Sequence, residues 1–305
     1  MSDWPKKILV GTDGSEDAAL AVRAALDLSS EAGAELHVVH AWRRPQALPL
    51  ARPGLAYPSL EAISHSETLE REAEELLEEQ ADRIRAADGT LARAHLREGR
   101  AAEEISGLAE ELGADLVVVG SRGAGTVKRL TTGSVSEGVA HLAKCPVLVV
   151  RGGEGAWPPN TVILGDDFSD EARRAGELAA RISRLFEARM LSVWAYSMTL
   201  PGARRASHAI AAEEVLKKGE KSLEERAAEL EGVLGKRPET LVTTGDAASI
   251  MQSAAEEGRE PTLVAVGSRG LGAVKRFALG SVSTDVLRAV SGSVLIVPSS
   301  KEAPR

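Results

Sequence analysis

The sequence lacks several features that define whole classes of protein. Its 305 residues include one cysteine, Cys145, which cannot form an internal disulfide and is predicted to be a buried structural thiol. No apolar run approaches the roughly 20 residues of a membrane span, and the opening MSDWPKKILVG has no signal-peptide core. With 37 Lys and Arg against 45 Asp and Glu, the net charge of −8 favours neither nucleic acid nor anionic lipid as a partner. These absences predict a cytosolic protein without nucleic-acid or membrane partners.

What the sequence does contain is a duplication. The segments GSRGAGTVKRLTTGSVS at 120–136 and GSRGLGAVKRFALGSVS at 267–283 agree at 12 of 17 positions. Weaker matches extend the repeat along the chain: ILVGTDGSEDA with VILGDDFSDEA, ELHVVHAW with RMLSVWAY, and PVLVV with SVLIV. A stretch rich in Gly and Pro separates the two copies. We predict a first domain at 1–151, a linker at 152–160 and a second domain at 161–305.

Each copy alternates short apolar runs with longer amphipathic ones. In the first copy KILVG, ELHVVHA, LARAHLR, DLVVVG and PVLVV are predicted to be strands, because runs of Val, Leu and Ile suit strands covered on both faces. The segment 69–84 is predicted to be a helix with one apolar face and a solvated face rich in Glu. The alternation predicts an α/β fold of two similar domains, each an open, five-stranded parallel sheet with helices on both faces.

The duplicated segment has the form of an anion-binding loop. It begins where an apolar strand ends and closes at a Gly-Ser pair where a helical pattern starts. Glycines allow close backbone approach, and a helix N-terminus offers unpaired N–H groups and a positive dipole end. Neither the GxxxxGK[ST] loop nor the GxGxxG dinucleotide fingerprint is present. Both copies share G-x2-G-x9-G-S instead.

This pattern, together with the opening TDGSEDA, resembles the ATP-binding branch of the universal stress protein family. The chain looks like a tandem member, with two such domains covering nearly all of it. The resemblance implies Rossmann-like sheets in which the first and fourth strands flank a nucleotide cleft. The implied cofactor is ATP, or AMP or ADP, with Mg²⁺ beside the phosphates.

The family's contacts carry over by position to both copies. Asp13 and Asp167 would place carboxylates on the ribose and adenine side. Ala41 and Ala195 would offer backbone groups to the adenine. Glycines against the ribose would be Gly120 and Gly267. Phosphate contacts would come from Gly123, Gly133, Ser134 and Val135, and from Gly270, Gly280, Ser281 and Val282. The second copy departs from the first at Asp166 and Phe168, which replace Thr12 and Gly14; the added carboxylate could weaken or tune binding.

Other interpretations of these residues remain open. Ser134 and Glu137 form a literal capping box, so Ser134 could simply cap its helix. Asp13 and Asp167 could be turn residues that bond nearby amides. The paired bases at 128–129 and 275–276 could be merely solvated. Two further stretches, 43–58 and 197–206, are surface loops or flaps over the adenine.

Shared catalytic chemistry finds no support in the repeat, because no aligned histidine or cysteine is kept by both copies. His37, His40, His95 and His141 face Leu191, Trp194, Leu241 and Arg288. The leading interpretation is an ATP-binding stress or regulatory protein whose hydrolysis is at most slow, with an unknown downstream protein partner. The alternatives are a slow ATPase or phosphotransferase and a structural tandem module with empty clefts.

The two closing strands predict how the halves assemble. PVLVV at 146–150 and SVLIV at 293–297 would each lie at a sheet edge in the family's strand order, and an exposed apolar edge invites pairing. We predict that they meet antiparallel within one chain and form an internal pseudo-dimer. A homodimer of whole chains is a further possibility.

Overall fold

The computed structural model describes residues 4–44, 60–87, 89–123, 132–153, 155–196, 205–257, 260–270 and 279–299. Most of the stretches 43–58 and 197–206, predicted to be surface loops or flaps, lies outside the described residues, as do both Lys-Arg pairs at 128–129 and 275–276.

The described residues of the first half form five strands and four helices that alternate along the chain. In chain order they are β1 Lys7–Gly11, α1 Glu16–Ala32, β2 Glu35–Trp42, α2 Leu60–Ala86, β3 Leu91–Glu98, α3 Ala101–Leu112, β4 Leu116–Gly120, α4 Ser134–Leu142 and β5 Val147–Val150. All five predicted strands are present. Helix α2 contains the predicted segment 69–84 but is longer.

The second half repeats this order. Its elements are β6 Thr161–Gly165, α5 Asp170–Leu185, β7 Arg189–Tyr196, α6 Arg205–Leu234, β8 Glu239–Thr244, α7 Ala247–Glu257, β9 Thr262–Gly267, α8 Ser281–Ala289 and β10 Ser293–Val297.

All ten strands form one sheet in the order β3-β2-β1-β4-β5-β10-β9-β6-β7-β8. Within each half every pairing is parallel. The central strands are buried because helices cover both faces: α1, α2, α5 and α6 pack on one face, and α3, α4, α7 and α8 on the other. The predicted pair of five-stranded α/β domains is confirmed.

The two halves join through their closing strands. β5 and β10 pair antiparallel, with Val149 opposite Val294 and Val147 opposite Ile296. These side chains are essentially unexposed, so each strand covers the apolar edge of the other. The predicted internal pseudo-dimer is therefore the observed arrangement.

Cys145 lies just before β5 and is partly buried. Burial raises the pKa of its thiol to about 12, so the group is protonated at neutral pH. A protonated thiol is a poor nucleophile and metal ligand, in agreement with the structural role predicted for it.

Candidate functional site

Each half has one cleft at the carboxyl ends of its first and fourth strands. The first cleft has a volume of about 310 Å³ and the second about 470 Å³. Every residue carried over from the family lines the cleft of its own half. The first set is Asp13, Ala41, Gly120, Gly123, Gly133, Ser134 and Val135, and the second is Asp167, Ala195, Gly267, Gly270, Gly280, Ser281 and Val282. In each half, residues more than 100 positions apart in the sequence thus line one cleft, and they occupy corresponding positions in the two halves.

Asp13 and Asp167 make the local turn that their residue type favours. Oδ1 of Asp13 accepts a hydrogen bond from the Ser15 amide at 3.1 Å, and Oδ1 of Asp167 accepts one from the Ser169 amide at the same distance. Ser15 and Ser169 in turn cap helices α1 and α5. The turn interpretation is correct in both halves, and it aims the carboxylates into the clefts.

The second glycine of each loop leaves room for this carboxylate. A Cβ at Gly123 would meet Oδ2 of Asp13, and a Cβ at Gly270 would meet Oδ2 of Asp167. The first glycine lies against α1 or α5 in the same way, since a Cβ at Gly120 would come 2.6 Å from the backbone carbon of Asp17. Any side chain at these positions would displace the walls of the cleft.

The helices that close the clefts begin without a side-chain cap. Gly133 is the N-cap of α4 and Gly280 that of α8, and neither helix has a side-chain cap hydrogen bond. Ser134 is therefore the first helical residue, and the capping-box interpretation is wrong. Residues of the first turn of each helix line the cleft, and the unpaired backbone N–H groups of a helix start suit an anion.

A serine that the sequence reasoning missed holds each loop closed. Ser136 Oγ lies 3.0 Å from both the Ser121 and Gly133 carbonyl oxygens. Ser283 Oγ makes the equivalent contacts with Ser268 and Gly280 at 2.9 and 3.0 Å. The signal was available, because the closing Gly-Ser-Val-Ser is identical in both copies.

An ion pair, also missed, fixes the Ser-Arg step of the first loop. Asp17 is almost buried, and its Oδ2 accepts hydrogen bonds from Ser121 Oγ at 2.6 Å and from the Arg122 amide and Nε at 3.1 Å. The start of the glycine loop is thereby tied to the first turn of α1. Ser-Arg recurs in both copies, but the residue of α5 that corresponds to Asp17 is Glu171.

Asp166 does not add an unbalanced charge to the second cleft. Its Oδ2 accepts a hydrogen bond from Arg226 Nε at 3.0 Å, and its Oδ1 accepts one from the Phe168 amide at 2.8 Å. Phe168 has the left-handed backbone of its counterpart, with φ of 65° against 76° at Gly14. The positive charge of Arg226 offsets the negative charge of Asp166, which reduces the expected repulsion of an anionic ligand by Asp166.

Four histidines with described side chains, His37, His40, His95 and His141, are not among the described lining residues of either cleft. Nδ1 of His37 and Nε2 of His95 are 3.0 Å apart on neighbouring strands β2 and β3, and His40 Nδ1 donates to the Thr12 carbonyl oxygen at 2.8 Å. Among the residues that the structure describes, no cluster of three His, Cys, Asp or Glu side chains could hold a metal ion. No helix in the described part of the chain is long and apolar enough to cross a membrane.

The fold, the two clefts and the duplicated loops define a tandem α/β protein of one recognisable class. The universal stress protein family model matches the chain twice, at residues 5–151 and 159–298. The chain belongs to the universal stress protein family.

Individual relatives agree with this assignment. Universal stress protein YxiE of Bacillus subtilis is 36% identical over 146 residues, which cover 48% of this chain and 98% of YxiE. A universal stress protein of Mycolicibacterium smegmatis is 27% identical over 305 residues, covering 95% of this chain and 96% of its own. The crystal structure of a universal stress protein from Archaeoglobus fulgidus has a TM-score of 0.63 at 24% identity and 97% coverage of both chains. This last likeness concerns the fold.

Proposed function

We propose that the chain binds one adenine nucleotide in each half, as ATP with Mg²⁺, and acts as a nucleotide-dependent stress or regulatory protein. The observation that carries the proposal is the double convergence of the same positions: an aspartate, three glycines and a Gly-Ser helix start line both clefts. A packing role alone would not require the same loop at the carboxyl ends of corresponding strands in both halves, where open α/β sheets bind ligands.

The size and chemistry of the clefts suit this ligand. Volumes of about 310 and 470 Å³ fall within the usual range for small-molecule sites, about 300–1,000 Å³. Phosphates would lie against the first turns of α4 and α8, where backbone N–H groups and the helix dipole favour negative charge. The ribose would lie beside Asp13 or Asp167, whose carboxylates can accept hydrogen bonds from its hydroxyls.

Magnesium would be held chiefly by the phosphates. Mg²⁺ commonly keeps several waters and binds through substrate phosphates together with one or two carboxylates. Asp13 is the one carboxylate in the described lining of the first cleft, and Asp166 and Asp167 are those of the second. No histidine occurs among the described lining residues of either cleft, so we expect hydrolysis of the bound triphosphate to be slow.

The direct test is to identify what the purified protein carries. The protein is denatured after rapid purification, and the released small molecules are identified and quantified by mass spectrometry. We expect adenine nucleotide in amounts approaching two per chain. Protein that releases none, and that takes up neither ATP nor AMP when these are added, would contradict the proposal.

A further inference from the structure

A buried arginine of the first half reaches the end of a helix in the second half. Arg151 follows β5 and is 4% exposed. Its Nη1 donates to the Val290 carbonyl oxygen at 2.5 Å, and its Nη2 donates to the Leu287 carbonyl oxygen at 2.8 Å. Both acceptors lie at the C-terminal end of α8, where a cation is favourable to the helix dipole. Burial lowers the pKa of Arg151 to about 10, so it keeps its charge at neutral pH.

Two residues beside the first cleft contact the same end of α8. Thr132, which directly precedes the N-cap Gly133, donates from Oγ1 to the Leu287 carbonyl oxygen at 2.6 Å and accepts from Arg151 Nη2 at 3.1 Å. Glu137, in the first turn of α4, pairs with Arg288 in the last turn of α8 at 2.5 Å. The phosphate end of the first cleft is thus hydrogen-bonded to a helix of the other half.

The opposite end of α8 lies in the second cleft. Ser281 and Val282 form its first turn and line that cleft. At 1.5 Å per residue, the six steps from Ser281 to Leu287 span only about 9 Å. One short helix therefore has its N-terminus at the second phosphate position and its C-terminus on residues next to the first.

The arrangement occurs once and is not repeated by the pseudo-two-fold symmetry. The repeat places Leu279 opposite Thr132 and Pro298 opposite Arg151. Neither has a side chain that can donate a hydrogen bond. These contacts are therefore not a by-product of the duplication.

The geometry points to energetic coupling between the two clefts through α8, an inference that rests on the function proposed above. A phosphate at Gly133 and Ser134 fixes the adjoining Thr132, which holds the Arg151 guanidinium at the C-terminus of α8. A fixed cation at that end and a phosphate at the N-terminus both align with the helix dipole. Filling the first cleft consequently tightens binding in the second and, by thermodynamic reciprocity, filling the second tightens the first by the same factor.

The test measures the affinity of the second cleft for MgATP by calorimetric titration of the full chain. The first cleft is left intact or disabled by Gly123→Ala, each in the native background and with Thr132→Val. Threonine to valine removes the hydroxyl and keeps the shape. We expect Gly123→Ala to weaken the second cleft about five-fold or more in the native background, the lower range of measured couplings, and to have no effect on it with Thr132→Val.

Leu279→Val, at the pseudo-symmetric position, is the matched control and should leave the coupling unchanged. Two filled but independent clefts in the native chain would overturn the inference while leaving the proposed function intact. Coupling that survives Thr132→Val would overturn the route through Thr132. A chain that binds no nucleotide at either cleft would instead remove the proposed function itself.

Discussion

Asp166, which lines the second cleft, forms a buried ion pair with Arg226, with Oδ2 and Nε 3.0 Å apart. Neutral residues stand at the matching positions of the first half. Thr12 corresponds to Asp166 and accepts the same hydrogen bond from the residue two positions on. The spacing of buried residues along α2 and α6 places Gln80, also buried, opposite Arg226. The two halves thus differ at both positions: a buried ion pair in the second half stands where the first half has buried neutral side chains.

Arg226→Gln should destabilise the chain strongly, because it leaves the Asp166 carboxylate buried without its cation. We expect about 3 kcal/mol from such a loss, measured by urea unfolding at pH 7. Burial already raises the pKa of Asp166, and removing Arg226 raises it further. The protonated form is therefore favoured on folding, and the loss of stability should shrink as pH falls towards the ordinary carboxyl value near 4.

The double variant Asp166→Thr with Arg226→Gln places the neutral residues of the first half at both positions and is the control. It should recover most of the lost stability. If the double variant is as unstable as Arg226→Gln alone, Arg226 does not stabilise the chain by neutralising Asp166.

The His37–His95 contact should make the chain sensitive to mild acid. Burial, followed by the neighbouring positive charges, lowers the pKa of both imidazoles, that of His95 to about 4. In the unfolded chain both histidines have the ordinary imidazole pKa near 6.5. Below that pH the unfolded chain therefore binds more protons than the folded chain, and the free energy of unfolding falls from about pH 6.5 towards pH 4. His95→Leu, which copies Leu241 of the second half, should flatten this fall in urea midpoints. His141→Leu, at an exposed position, should not. Equal slopes in the native chain and His95→Leu would refute the assignment.

Gly123→Ala should reduce nucleotide binding in the first cleft while the fold survives. The added Cβ displaces the flexible carboxylate of Asp13, and Gly123 does not have a left-handed backbone that would strain alanine. We expect at least about ten-fold weaker binding, or ~1.4 kcal/mol, at the first cleft itself, which is more than the about five-fold change expected at the second cleft through coupling. Gly270→Ala should do the same in the second cleft. Gly107→Ala, where a Cβ meets nothing within 4 Å, is the control. An equal fall in binding and thermal stability would instead indicate a structural role for the loop.

Val149→Lys should separate the two halves or cause aggregation. Val149 is unexposed in the β5–β10 pairing, and burying an ammonium group there costs several kcal/mol. Light scattering and urea unfolding should show aggregates or a large loss of stability. Leu142→Lys, at a side chain that is 49% exposed on α4, should change stability by no more than about 0.5 kcal/mol. Native behaviour of Val149→Lys would contradict the role of this seam.

The strands followed from the sequence because their determinants are local and repeated. Apolar runs such as PVLVV mark strands buried on both faces, and the duplication shows which features both halves keep. The resemblance to the family then supplied the strand order and, with it, the β5–β10 pairing. The cleft residues converged as expected because they lie next to the carboxyl ends of parallel strands, where the topology itself brings them together.

The contacts that the sequence did not reveal connect distant positions that are not alike in both halves. Asp17 meets Arg122 and Asp166 meets Arg226 only once the helices have packed. The contacts of Arg151 with α8 could not be predicted from the sequence, because their acceptors are backbone carbonyl oxygens, which every residue type has. The capping-box error over Ser134 arose because a glycine can occupy the N-cap and shift the helix start by one residue.

The most direct test of the account is the number of nucleotides that one chain binds. Calorimetric titration of nucleotide-free protein with MgATP should give a stoichiometry near two per chain. At nucleotide concentrations that fill only the intact site, that value should fall to one in Gly123→Ala and in Gly270→Ala, and it should stay at two in Gly107→Ala. A native stoichiometry of one would show that only one of the clefts binds nucleotide, and a native chain that takes up none would contradict the central claim.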